Sequence, residues 1–284
     1  MKNSKILTGT LLVFFVFSFF SCEKEPVNTI NESSQDIPKE ILEKISELNF
    51  NHNQVTKEIL TDIDGTQREI YLIEDDIAFT YDQIMQMDNG DGVHSKQYHT
   101  TNLVSTPRNV RVVGYNGNNR FGLSDIAQTG LRYAVNNYNA INVDFQLELV
   151  FTTNFNNNDI VAYTQTSGSE IAQDGVRGRA GFPSGGEPFK RVIINGGANA
   201  NNNDQLLEGL FTHELGHCFG LRHTDWDTRQ SCGQTGESAN PDGAIYIPGT
   251  PGASQDPGSI MNSCFPFNGG EFGEFDIVAL EFLY

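Results

Sequence analysis

Residues 213–223 read His213-Glu214-Leu215-Gly216-His217-Cys218-Phe219-Gly220-Leu221-Arg222-His223, and the spacing inside this stretch decides the reading of the fold. His213 and His217 lie four apart, so on a helix both imidazoles leave one face, a turn apart. Glu214 stands beside them, placed to reach a water on a metal rather than the metal itself. Gly220 can take φ > 0, end the helix and turn the chain back. That turn delivers His223 as a third nitrogen ligand. Three protein ligands leave one tetrahedral position open, the layout of a catalytic zinc rather than a structural one. Chance produces the His-Glu-x-x-His spacing fairly often, so the added Gly220 and His223 carry the specificity.

Downstream, Ser259-Ile260-Met261-Asn262 contains one of the chain's four methionines. Together these residues resemble the metzincin metallopeptidases, whose signature is H-E-x-x-H-x-x-G-x-x-H followed by a methionine turn. More narrowly, the chain is similar to the bacterial dual-action HEIGH metallopeptidases through residues 213–217, 220–226, 259–262 and 276–284, over roughly 105–284. The resemblance implies an α/β (α+β) zincin-like catalytic domain: a mixed sheet with an active-site helix, a Met-turn and a C-terminal helix. It implies a zinc endopeptidase acting on a protein or peptide substrate through a zinc-bound water. His213, His217 and His223 would hold one catalytic Zn²⁺, Glu214 would be the general base, and Met261 would occupy the Met-turn. Astacin-like and serralysin-like enzymes place a tyrosine ligand two residues after that methionine. Ser263 stands there in this chain, so no tyrosine ligand is assigned. The alternative function is a surface binding lipoprotein with a zinc-stabilised fold and no turnover; Glu214 argues against it.

At the N-terminus Lys2 and Lys5 precede an apolar run, residues 6–20, which meets Ser21-Cys22. This pattern predicts a lipoprotein-type signal peptide over 1–21. The run is too short for a comfortable membrane span. A cysteine directly after it resembles a lipobox, with Cys22 as the lipidated first residue and a membrane partner through that anchor. Ordinary signal cleavage is the competing reading. The expected location is that of an exported bacterial lipoprotein, at the outer membrane or cell surface, with secretion as the alternative. A net charge of −18 argues against a nucleic-acid partner. Export permits disulfides. Cys232 and Cys264 flank the long loop leading to Met261 and are expected to pair, with Cys218 as a competing partner. Cys218 otherwise shares a helix face with Phe211 and Leu215 as a buried thiol. Asp/Asn-rich loops could take calcium, but no EF-hand-like spacing supports it.

Residues 22–36 read as a flexible tether, 37–105 as an N-terminal segment and 106–284 as the catalytic domain. Residues 23–105 carry 17 acids against 6 bases. Ile41, Leu42, Ile45 and Leu48 mark a short amphipathic helix. Residues 69–73 and 77–80 read as strands, and Asp88-Asn89-Gly90-Asp91-Gly92 as a turn-rich break. The metzincin resemblance implies one role for 37–105: a propeptide whose Cys or Asp plugs the open zinc position. That segment holds no cysteine, and Asp88 and Asp91 are the loop candidates. The competing role is a permanent spacer between membrane and enzyme. Beyond it, strands are predicted at 109–115, 143–151, 159–163 and 191–195, the last as the substrate-pairing edge strand. Helices are predicted after Ser124, from Asn203 or Asp204, and over 272–284. Residues 165–188 and 227–258 read as loops, with Tyr246 a candidate lining residue of the cleft.

Overall fold

Apolar runs rather than alternation build the central sheet. β7 (Ile160–Gln165) is buried along its whole length, as expected of a strand covered on both faces. Ile160 and Ala162 face one core, Val161 and Tyr163 the other. β7 lies between β5 (Arg108–Tyr115) and β9 (Arg191–Asn195) in a five-stranded sheet of order β6-β5-β7-β9-β8, where β6 is Phe145–Thr152 and β8 Gly178–Arg179. The first four strands are parallel and β8 is antiparallel. In this computed structural model the described residues are 37–48, 50, 52–74, 76–87, 97–165, 178–199, 203–226, 229–232, 245–251, 256–264 and 269–284. The signal segment, Cys22, the tether, Asp88 and Asp91 lie outside them.

Two helices cover the larger core. α3 (Asp125–Asn139) starts at Ser124, whose Oγ accepts from the Ala127 N–H. It packs against α5 (Asp204–Cys218), and Gly130 allows the close approach: a Cβ there would sit 2.6 Å from Leu207 Cβ. Asn203 caps α5 through the Leu206 N–H. α4 (Gly196–Asn199) follows β9, and α6 (Glu274–Leu283) closes the core with Ala279 and Leu280.

The edge differs from expectation. β9 is interior; the edge strand is β8, inside the segment read as loop. Two residues are too few to show a strand period, and their place is set by pairing with Ile193 and Ile194. β6 starts at Phe145 rather than Val143, whose N–H bonds the Ile141 carbonyl in a turn.

The N-terminal segment forms a second layer: α1 (Lys39–Glu47), β1 (Val55–Thr61), β2 (Gln67–Ile73), β3 (Ile77–Phe79) and α2 (Tyr81–Gln86). The strands make an antiparallel sheet, β1-β2-β3. β1 was not predicted, since its burial lacks clean alternation. Ile41, Ile45, Phe79 and Ile84 share a core with Phe182 of the catalytic part. The rings of Phe50 and Phe79 each lie within 5.7 Å of Phe182. β3 also bridges to the catalytic sheet: Ala78 N–H donates to Ala180 O at 2.8 Å and Ala180 N–H to Asp76 O at 3.1 Å. Further on, β4 (Tyr98–His99) pairs with β10 (Ile245–Tyr246), and Thr100 N–H donates to Gly220 O. The described residues all fall within one compact unit.

Candidate metal centre

α5 carries His213, Glu214 and His217, all buried. The helix ends at Phe219, and Gly220 turns the chain with φ +91°. That returns His223 to the same point. His217 Nε2 and His223 Nε2 lie 3.1 and 3.3 Å from His213 Nε2. A tetrahedral metal with nitrogen bonds of about 2.0–2.1 Å sets its ligands about 3.3–3.4 Å apart, close to both of these separations. Each Nδ1 is engaged on the outside: His213 with Ile260 O at 2.7 Å, His217 with Leu221 O at 2.8 Å, His223 with Glu74 Oε2 at 3.2 Å. Such outer partners fix the tautomer, leaving Nε2 to bind.

A fourth donor completes the cluster. Asp76 Oδ2 stands 3.0 Å from His223 Nε2 and 3.7 Å from His213 Nε2. The four donor atoms of Asp76, His213, His217 and His223 lie within 4.8 Å of one another. Asp76 Oδ1 is buried without a hydrogen bond. The sequence reading missed both acids. Glu74-Asp75-Asp76 is visible as an acidic turn between two strands, but no spacing ties it to residues 213–223.

Electrostatics follow from burial and these contacts. Burial opposes it, but Asp76 and Glu74 together lift His223 to about 10. Burial and the neighbouring imidazoles push His217 down. Burial and Asp76 push Glu214 well above the usual carboxylate range, against the pull of His223 and Arg179. Glu214 Oε2 is buried with no hydrogen-bond partner. β8 presses on the same side chain: a Cβ at Gly178 would lie 2.3 Å from Glu214 Oε1.

Met261 is buried against α5, and its Sδ would lie 2.5 Å from a Cβ at Gly216. Its carbonyl accepts from Thr224 N–H at 2.8 Å. Asp276 caps α6 through Gly273 N–H and also accepts from Ile260 N–H, Ser259 Oγ and Gln97 Nε2. Asp225 is a buried brace: it accepts from Ser231 N–H and Ser263 N–H, on either side of the Cys232–Cys264 disulfide. Cys218 is a free, buried thiol. Tyr246 is half-buried on β10, its hydroxyl accepting from Gly249 N–H.

Residues 70–284 match the profile of the family described as dual-action HEIGH metallo-peptidase. The chain belongs to this family. The match begins some 35 residues before the point at which the motifs alone suggest the resemblance, and so takes in the end of β2 from Ile70, all of β3, and Asp76. No curated protein matches the chain. Two structures of myroilysin are similar over 43% of this chain, at 11% and 12% identity with TM-scores of 0.29 and 0.30. The chain spans 47% and 45% of their lengths, less than half in each case.

Proposed function

We propose that this metallopeptidase-family chain is a zinc-dependent endopeptidase of metzincin type, with His213, His217 and His223 as ligands, Glu214 as general base and Met261 in the Met-turn. The observation that carries it is the combination of three inward Nε2 atoms with the buried Glu214, whose Oε2 has no hydrogen-bond partner. Zinc suits a set of three imidazoles, which bind it in their neutral form, and when bound it would supply Lewis acidity that makes water a nucleophile near neutral pH and polarises a carbonyl. Glu214 takes a proton from the attacking water and hands it to the leaving amine. Its raised pKa suits a group that must give that proton back. Ile260 O, Leu221 O and Glu74 hold the imidazoles in place. The β8 edge, beside Glu214, is where an extended peptide would add a strand. We also propose export, with lipidation at Cys22 tethering the enzyme to a membrane; the signal-like run before it supports this.

Asp76 favours a second reading. Four protein donors make a closed site, as structural zinc has, which suits a zinc-stabilised binding lipoprotein. Hydrolysis of quenched fluorescent casein decides between them, using the chain from Glu23 before and after limited proteolysis, with and without a zinc chelator, beside Glu214→Gln. Chelator-sensitive cleavage absent from the variant supports the peptidase. No cleavage by any form that still holds zinc moves the assignment to the binding protein.

A further inference from the structure

We propose that the cavity between the N-terminal sheet and the central sheet binds a small monocarboxylate with an apolar body. The second edge of the Arg179 guanidinium holds its head, and the site is separate from the metal centre.

Gly178 of β8 faces Glu214, so strand alternation sends Arg179 to the opposite face of the sheet, away from the imidazoles. There the Arg179 side chain is buried, 2% exposed. A guanidinium presents its donors on two edges, the pair of Nη groups and the side that carries Nε. Glu58 takes the first edge: its Oε2 lies 2.5 Å from Nη1 and its Oε1 3.4 Å from Nη2. Nε is buried with no hydrogen-bond partner among the described residues. Leaving a buried N–H unmatched is costly, and a donor on a cation is best matched by an anionic oxygen.

The cavity that Arg179 lines has a volume of about 290 Å³. Both layers supply its walls: Leu60, Ile70 and Phe79 from the N-terminal segment, Phe182, Phe189 and Ile193 from the catalytic part. None of His213, Glu214, His217 and His223 lines it. At about 30 Å³ for each water-sized atom, such a space takes roughly ten non-hydrogen atoms, the count in octanoate. The walls select a hydrocarbon body, and the charges select the sign of its head. Four cations, Arg68, Arg179, Lys190 and Arg191, line the cavity against two acids, Asp62 and Glu187. Counting Glu58 with Arg179 makes the balance four to three. Arg68 and Arg191 share the one carboxylate of Asp62, and Glu187 is turned to Arg108. A positive surplus beside apolar walls, in a chain of net charge −18, favours an anionic head over a cationic one.

Calorimetric titration of octanoate into the full zinc-loaded chain tests the site, with acetate and octan-1-ol supplying the head and the body alone. One octanoate should bind per chain, and both controls at least tenfold more weakly. Arg179→Lys keeps a cation for Glu58 but has no second donor edge. It should bind octanoate roughly 10–100-fold more weakly, the worth of one charge-assisted hydrogen bond, with an unchanged Tm. Ala78→Leu fills the cavity from β3 without touching a charge, and should weaken octanoate at least tenfold. Equal octanoate affinity in wild type and folded Arg179→Lys overturns the site, as does octan-1-ol binding as tightly as octanoate. Acetate binding as tightly as octanoate overturns it too, as does octanoate binding that survives in both variants but is lost with a zinc chelator; either places the carboxylate on the metal. If Arg179→Lys does not fold, unchanged octanoate binding in Ala78→Leu is enough to overturn the site. No octanoate binding by wild type overturns it outright.

Discussion

Two regions meet at the metal centre and reach it by different routes. Residues 213–223 bring three donors through helical periodicity and one left-handed glycine. The β2–β3 turn brings Glu74 and Asp76 from far upstream, Glu74 standing 149 positions before His223. The first region needs only local geometry. The second needs a three-stranded sheet, an aromatic core around Phe182 and a bridge to β8 before either carboxylate arrives. The local stretch brings three imidazoles to one point; the distant turn sets one carboxylate against His223 Nδ1 and another against its Nε2.

Substitutions separate the two contributions. The largest effect belongs to the local stretch: Glu214→Gln should lower kcat on casein by about 10²–10⁴-fold with zinc content unchanged by atomic absorption. If the variant is as active as wild type, the local stretch does not supply the base. Removing a ligand is the structural counterpart, and His223→Ala should leave the purified protein without stoichiometric zinc. Next comes the contact between β8 and Glu214. Gly178→Ala would put a Cβ 2.3 Å from Glu214 Oε1. We expect a cost of about 1–3 kcal/mol, measured as a lower Tm, with reduced kcat because Glu214 must move. Normal Tm and kcat would show that the strand is not pressed against the base.

The smallest effect on the centre concerns Asp276, which burial lifts to about 6. The unfolded carboxyl ionises near 3.8, so the folded state binds the extra proton between these values. Stability from this group is complete below about pH 4 and lost as pH rises through about 6, a change of at most ~3 kcal/mol. Asp276→Asn should flatten that part of the unfolding free energy against pH, measured by denaturant titration. An identical slope in both proteins would contradict the assignment.

The parts that were legible share a property. α3 announces itself through Ser124 and a 3.6-residue period, α5 through Asn203 and the i, i+4 histidines, and the three imidazoles through their spacing. β8 does not, because two residues have no period. β1 does not, because only its first residue is fully buried. Asp76 is hardest of all. An acid in a turn between strands is ordinary in sequence, and its role exists only once the two sheets join. Asp276 was visible as a first-turn helix acid, but the hydrogen bonds from Ile260 and Ser259 that tie it to the floor of the centre were not.

The sulfur of Met261 lies close enough to Gly216 to leave no room for a methyl group on that turn of α5. The fourth letter of His-Glu-Leu-Gly-His is therefore not a free position in this protein. Its size is set by a residue 45 positions later in the chain. The two should vary as a pair: a bulkier residue at 216 would require a shorter one at 261. A search for proteins with the same centre gains discrimination by requiring small-with-large at this pair, rather than by lengthening the histidine pattern.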